Sequence, residues 1–283
     1  MRGAGGPEPP IRDEWRNDLL IVGERINTTR KRIASAVRGR DADFIRREAL
    51  KQAEAGANYI DVNAGTSVRH EVDDLVWLTQ TVQSALDVPV CLDSANPQAL
   101  EAALAVHRGS AMVNSITAEA ERLRGILPPV VKHGTRVVAL AMDDRGMPES
   151  AQGRLEVAKE LYARLTGEGV TGDRIYFDPL IRPISTNPDQ ALAAVEATRR
   201  IMTELPGVHT ICGLSNVSFG LPRRNLLNRA FLALLIGAGL DAVIIDPTEC
   251  GMVSTVLAAS ALVGRDEFCM NYIAAERAGR LDG

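Results

Sequence analysis

The sequence predicts an α/β fold, a (β/α)8 barrel of the TIM type, and three observations predict it. Eight short apolar runs alternate with segments of helical pattern along the chain. The runs show no period-two alternation, as befits parallel strands buried on both faces. The length of 283 residues suits one barrel of roughly 250 residues with modest extensions. Residues 19–283 are therefore expected to form one barrel domain, and residues 1–18, rich in Gly, Pro and charge, a flexible N-terminal extension.

Taken in order, the first run, Leu19–Glu24, ends in a carboxylate, and a helical pattern follows over 41–55. The second, Tyr59–Gly65, carries Asp61 and Asn63 and leads to a helix over 72–86. The third ends at Asp93, before a helix that starts at Asn96-Pro97, a capping side chain followed by a proline suited to the first turn. The fourth ends at Asn114 before a helix over 118–133, and the fifth at Asp143 before one over 149–168. The sixth ends at Asp178, before a helix over 187–205 that starts at a second Asn-Pro pair, Asn187-Pro188. The seventh run, Thr210–Asn216, ends in an amide, and the eighth, Asp241–Pro247, holds Asp246; helices over 225–237 and 248–263 follow. Asp266–Gly283 reads as an exposed terminal helix.

In such a barrel the carboxyl ends of all strands open on one face, where active sites are built. Each run ends in a carboxylate or carboxamide, so these groups are expected to ring one mouth. Position alone leaves other roles open. Asp93 and Asp178 fit loop caps equally well, Asn96 is better read as the helix cap beside Pro97, and Asp143 and Asp144 read as a turn. Asp246 with Pro247 suits a chain reversal, and Asp61, inside its strand, suits a buried residue paired to backbone or to Asn63.

Composition excludes several functions. A formal net charge of −4 with Arg scattered among Asp and Glu gives no basic footprint for nucleic acid or an anionic membrane. No run is long enough to span a bilayer. The four cysteines are far apart and form no CxxC pair, which predicts a reduced, cytoplasmic protein. Cys91 and Cys212 lie in strand runs, where a thiol packs as a small hydrophobe. The four histidines, His70, His107, His133 and His209, fall at helix or strand-start positions, so no His/Cys metal site is expected at the mouth, although its oxygen ligands would suit a magnesium ion. No glycine-rich phosphate cradle follows the seventh or eighth run, and no Ser-His-Asp set or activated Cys is indicated.

Carboxylates that accept hydrogen bonds, beside amides that both donate and accept, can read a planar heterocycle with amino and N–H donors next to a carbonyl. A 2-amino-4-oxo-pteridine presents that edge. Buried polar groups of this kind discriminate strongly, because a wrong ligand leaves them unpaired.

The segments GERIN (Gly23–Asn27), GANYIDVNAG (Gly56–Gly65), CLDSANPQAL (Cys91–Leu100), VNSITAE (Val113–Glu119), YFDPLI (Tyr176–Ile181), GLSNVSFGLPRRNLLNRAFL (Gly213–Leu232) and GLDAVIIDP (Gly239–Pro247) resemble the pterin-binding methyltransferase family. Its members include methyltetrahydrofolate:corrinoid/iron-sulfur protein methyltransferases and the folate module of cobalamin-dependent methionine synthase. The likeness runs in order from about Leu19 to Ile273. It implies pterin contacts at Asp93, Asn114 and Asp178, and a catalytic role for Asn216, whose amide reaches N5 of the folate as the methyl leaves. It implies supporting roles for Glu24, Asn27, Asp61, Asn63 and Asp246, and matches Arg224 to a family arginine.

The resemblance further implies methyl transfer between N5 of 5-methyltetrahydrofolate and Co(I) of a corrinoid. The barrier there is the poor leaving ability of a tertiary amine, and acid catalysis is worth about 10²–10⁴-fold. The chain has no D-x-H-x-x-G element for cobalamin, so the corrinoid is expected on a partner protein docking over the mouth. A homodimer through the outer helices is implied too, with Ala230–Gly237 as a candidate contact. Two alternatives remain. A dihydropteroate synthase would need a strand-seven lysine and a strand-eight Arg-x-His, where this chain has SNVSFG and DPTE. A non-catalytic folate-binding subunit needs no reactive group at all.

Overall fold

A computed structural model describes residues 19–66 and 69–281; the expectation for residues 1–18 lies outside them. Eight strands run in the order β1 (Leu20–Asn27), β2 (Tyr59–Asn63), β3 (Val90–Asp93), β4 (Met112–Thr117), β5 (Arg136–Leu140), β6 (Ile175–Asp178), β7 (His209–Thr210) and β8 (Ala242–Ile245). Each pairs in parallel with the next, β1 pairs in parallel with β8, and an isolated parallel bridge, Gly213 to Ile244, closes the ring between β7 and β8. This is the (β/α)8 barrel expected.

The intervening helices are α1 (Lys31–Arg38), α2 (Ala42–Glu54), α3 (Glu71–Ala85), α4 (Pro97–Val106), α5 (Ala120–His133), α6 (Ala151–Gly167), α7 (Gln190–Glu204), α8 (Arg224–Gly237), α9 (Met252–Leu262) and α10 (Met270–Arg277). Their starts follow the capping chemistry in several places. Asp41 accepts from Phe44 N at 3.0 Å, Asn96 accepts from Gln98 N at 3.0 Å, and Ser150 accepts from Gly153 N at 3.1 Å.

Three local features depart from the sequence reading. Helix α1 was not anticipated; its signal is the buried set Ile33, Ala36 and Val37 at helical spacing in an otherwise polar stretch of eight residues. Helix α7 starts at Gln190 because the Asn187 side chain closes a turn on Asp189 N at 3.0 Å and so caps no helix. Of the seventh run only Thr210 is strand, in a β7 that starts one residue earlier at His209, and Asn216 sits instead in a 3-10 turn, Leu214–Ser218.

The strands bury both faces, and successive residues divide between two clusters. One set, including Ile21, Ile60, Leu92, Val113, Val137 and Phe177, packs outward against the helices. The other, Val22, Tyr59, Cys91, Met112, Val138, Tyr176, Ile211, Ala242 and Ile244, fills the lumen. Side chains alternate across a strand, so the residues two positions beyond the lumen set also point inward, one layer nearer the carboxyl ends. Gly23, between the inward Val22 and Glu24, faces helix α2 and leaves no room for a side chain. A Cβ there would lie 2.5 Å from Gln52 Oε1, which is fully buried and accepts from Arg25 N at 2.9 Å. The apolar run of α8 is used mainly inward: Phe231, Leu232, Leu235 and Ile236 are buried, whereas Leu234 is exposed.

Candidate functional site

Counting two residues on from the lumen cluster brings one to Glu24 on β1, Asp61 on β2, Asp93 on β3, Asn114 on β4 and Asp178 on β6, and, just past the end of β8, to Asp246, which is held in ion pairs. The strands thus deliver four carboxyls and an amide to one polar layer above an apolar floor. Asn63 lies one step higher. Its Nδ2 donates to Asp93 Oδ2 at 2.9 Å and to Asp93 O at 3.2 Å, and its Oδ1 accepts from Gly65 N at 3.0 Å. With both ends of its amide used, Asn63 orients Asp93. Asn114 Nδ2 donates to Asp61 Oδ1 at 3.4 Å, which leaves its carbonyl oxygen for a ligand. Asp178 Oδ1 accepts from Leu180 N at 2.7 Å, fixing the carboxyl at the strand end.

Burial dominates the electrostatics of this layer. It pushes the Glu24 carboxyl up to about 7 and that of Asp178 up to about 6. Asp61 is raised well above the usual carboxylate range by burial and then by the charge of Asp93, against hydrogen bonds from Cys91 and Asn114. Asp93 is also raised by burial, opposed by the Asn63 hydrogen bond and the Arg122 charge. Charged carboxylates are costly here until a donor arrives.

Asn216 reaches the mouth differently. It is exposed in its 3-10 turn, and its amide makes no hydrogen bond to the described residues. Arg224 ties that turn down, with Nε donating to Ser218 Oγ at 3.0 Å and Nη2 donating to Ser215 O.

Two of the other candidates are engaged elsewhere. Asn27 Oδ1 accepts from Thr29 N at 3.0 Å and Thr29 Oγ1 at 2.7 Å, a turn at the end of β1. Asp246 Oδ2 pairs with Arg25 at 2.8 Å and Arg30 at 3.6 Å, and its Oδ1 accepts from Thr248 N at 3.0 Å. This is the turn role that its position allowed, reinforced by ions. Sequence reasoning missed Arg25, which also bonds Glu48 at 2.8 Å, and Arg122 with Glu71, the latter accepting from Ser94 Oγ at 2.5 Å. Arg25 sits inside the GERIN segment, the one signal that could have pointed to it.

A cleft of about 370 Å³ opens on the rim, lined by Ala95, Pro97, Glu119, Arg122, Ile126 and Asp144 among others. Three of its polar side chains are already bonded to groups outside the lining. Arg122 donates to Ser115 O at 3.2 Å, Glu119 accepts from Thr117 Oγ1 at 2.9 Å, and Asp144 accepts from Ala120 N at 3.3 Å. The lumen layer, with acceptors left over, is the stronger candidate. No group of three or more His, Cys, Asp or Glu that could hold a metal ion occurs among the described residues, and none of their helices is long and apolar enough to cross a membrane.

Known proteins share this sequence and fold. Over 268 residues the chain is 35% identical to the methylcorrinoid:tetrahydrofolate methyltransferase of Eubacterium limosum, covering 93% of this chain and 98% of that protein. It is 32% identical over 244 residues to the methionine synthase of Mycobacterium tuberculosis, covering 82% of this chain but 20% of that longer protein. Among solved structures, a Yersinia pestis dihydropteroate synthase with a sulfonamide drug complex matches with a TM-score of 0.67 at 13% identity, covering 87% of this chain and 94% of that one. The Xanthomonas albilineans dihydropteroate synthase in complex with 7,8-dihydropteroate matches with a TM-score of 0.64 at 20% identity, covering 86% and 92%. At such identities these two show the shared barrel alone. The family described as pterin binding enzyme matches residues 23–246. With that match and the full-length likeness to a 35% identical relative, the chain belongs to the pterin binding enzyme family.

Proposed function

We propose that the protein is a methyltransferase that moves a methyl group between N5 of (methyl)tetrahydrofolate and the cobalt of a corrinoid carried by a partner protein. The observation that carries this reading is the lumen layer of desolvated carboxyls and an amide over an apolar floor, with acceptor oxygens left unpaired. An apolar floor suits the flat face of a pterin, and the layer suits its N–H edge. The name and near-complete coverage of the Eubacterium limosum relative support the same reaction.

In this reading Asp93, Asn114 and Asp178 pair with the pterin edge. Asp61 and Asn63 hold Asn114 and Asp93 in position, and Arg224 holds the turn that carries Asn216. The Asn216 amide makes its hydrogen bond at N5, where charge changes during transfer, so it favours the transition state over the bound substrate. The corrinoid supplies a strong cobalt nucleophile when the partner docks over the mouth. Dihydropteroate synthesis suits the site poorly: the turn after β7 offers Ser215, Asn216 and Ser218, and the segment after β8 offers Thr248 and Glu249, with no lysine or histidine in either.

The test is Asn216→Ala. Methyl transfer from methyltetrahydrofolate to Co(I) cobalamin should slow by at least about 100-fold, while the calorimetric Kd for tetrahydrofolate changes by less than about 3-fold. Equal losses in rate and affinity would overturn the role of Asn216. Folate binding by the wild type with no methyl exchange would favour a non-catalytic folate-binding subunit. The same reading places the enzyme in the cytoplasm as a homodimer. Helix α8 exposes Leu226 and Leu234, and Leu262, Phe268 and Met270 around α9 and α10 are exposed and apolar as well. Phe268→Asp should shift sedimentation velocity from dimer to monomer if the contact lies there.

A further inference from the structure

Glu24 stands apart from the other acidic residues of its neighbourhood. It is turned into the lumen by the alternation that starts at Val22. The carboxylates around it are engaged: Asp246 with Arg25, Arg30 and Thr248, and Glu48 with Arg25 and Lys51. Glu24 feels charges but takes no hydrogen bond from the described residues. Its position also brings it towards Asn216. Gly23 pairs with Ile245 and Gly213 bridges to Ile244, so β1, the end of β8 and the segment after β7 lie side by side. Arg224, within charge range of Glu24, is bonded to the turn that presents Asn216.

An amide cannot release a proton at neutral pH, yet the N5 leaving group needs one. We propose that Glu24 is the acid of the methyl-transfer step, the carboxyl that delivers a proton to N5 beside Asn216. This rests on the methyl-transfer reading above. In the step, the proton leaves Glu24 for N5 and the N5–methyl bond breaks with its electron pair staying on nitrogen. The methyl joins the partner's cobalt, which supplies the bonding pair and rises formally from Co(I) to Co(III). The folate is left as a neutral secondary amine and Glu24 as a carboxylate that regains its proton from solvent. The reverse direction uses the same groups.

The charges facing Glu24 tune this acid. Burial is the main cause that raises it to about 7; Asp246 and Glu249 from the β8 side add to the rise, and Arg30 from the β1 loop and Arg224 from α8 oppose it. Asp61 on β2 also lies within charge range. The 3-10 turn presents no charge of its own, only Ser215, Asn216 and Ser218. An acid that titrates near the working pH is the most effective kind.

Glu24→Gln tests the assignment. The single-turnover rate of methyl transfer to Co(I) cobalamin should fall about 100-fold. The wild-type rate should decline as pH rises through about 7, and the variant should show no such limb. Calorimetry in buffers of different ionisation enthalpy should show that tetrahydrofolate binding keeps its Kd in the variant but loses the wild-type proton exchange. Glu24→Asp, which keeps a carboxyl, should be slower than wild type yet keep the pH limb. A Gln variant that keeps the wild-type rate, or one that is slow but keeps the pH limb, overturns the role of Glu24. A wild-type chain that binds no folate overturns the underlying reading instead, so the two failures are distinguishable.

Discussion

The floor of the barrel lumen, apolar where it faces the site and charged at its amino-terminal edge, and the mouth hold titratable side chains in opposite states. At the floor, Tyr59 donates to Ser110 O at 3.0 Å and accepts from Arg136. Tyr176 stacks on His209 with ring centroids 4.6 Å apart. His209 Nδ1 lies 2.6 Å from Asp241 Oδ2, and Thr210 N donates to Asp241 Oδ1 at 2.8 Å. Every charge there has a partner within the chain. At the mouth, burial raises Glu24, Asp61, Asp93 and Asp178, and the hydrogen bonds that reach these groups from neighbouring side chains come from amides and a thiol rather than from cations. The difference teaches that the floor is built for stability, whereas the mouth carries a desolvation penalty that a donor-rich ligand can relieve.

The largest expected effect comes from breaking the mouth at Asp178. Asp178→Asn replaces a carboxylate acceptor by a donor where the proposed function has the pterin's N–H edge bind, and charge-assisted hydrogen bonds are worth about 1.5–3 kcal/mol. Tetrahydrofolate affinity by calorimetry should fall roughly 100-fold, since 1.4 kcal/mol is about a factor of ten; an unchanged titration would remove Asp178 from the site. Breaking the floor should do the reverse. Asp241→Ala strips a partner from His209 and from Thr210 N, so denaturant unfolding should show a loss on the order of 2 kcal/mol while folate affinity stays the same. A loss of affinity as well would mean that the two ends are coupled.

The smallest effect sharpens the comparison through pH. Asp178 titrates near 6 in the folded chain against 3.8 unfolded. The folded state therefore binds more protons between those values, and this group's contribution to stability is full below about 4 and falls as pH rises through about 6. Asp178→Asn removes that slope. Its Tm should exceed the wild-type value at pH 8 and lose that advantage by pH 4, and a constant Tm difference across the range would count against a desolvated carboxyl. The variant that most weakens binding is thus expected to stabilise the fold, a trade-off common where a site is held in a strained or unpaired state.

The barrel was legible in the chain because strand burial and helix amphipathicity repeat, and because Asp41, Asn96 and Ser150 mark helix starts by local hydrogen bonds. Asn187 shows the limit of such signals, since its oxygen can close a turn as readily as cap a helix. The short α1 escaped because its eight residues place only Ile33, Ala36 and Val37 in the core, too few to stand out from a polar stretch.

The polar strand ends were also legible, and with them the expectation that Glu24, Asp61, Asp93, Asn114 and Asp178 share one mouth; strand direction alone places them there. Their division of labour was not. Asp246 and Asp178 look alike in sequence, each an aspartate before proline at a strand end. Arg25 and Arg30 converge on Asp246, whereas Asp178 is left in a buried layer with Leu180 N as its close donor. Which carboxylate meets an arginine depends on contacts such as Arg25 to Asp246, 221 residues apart in the chain. The sequence by itself determined the local periodicity, the caps and the row of acids and amides. Only the tertiary structure decided which of them are paired and which are buried without a cation, because desolvation and long-range ion pairing exist only once the barrel has closed.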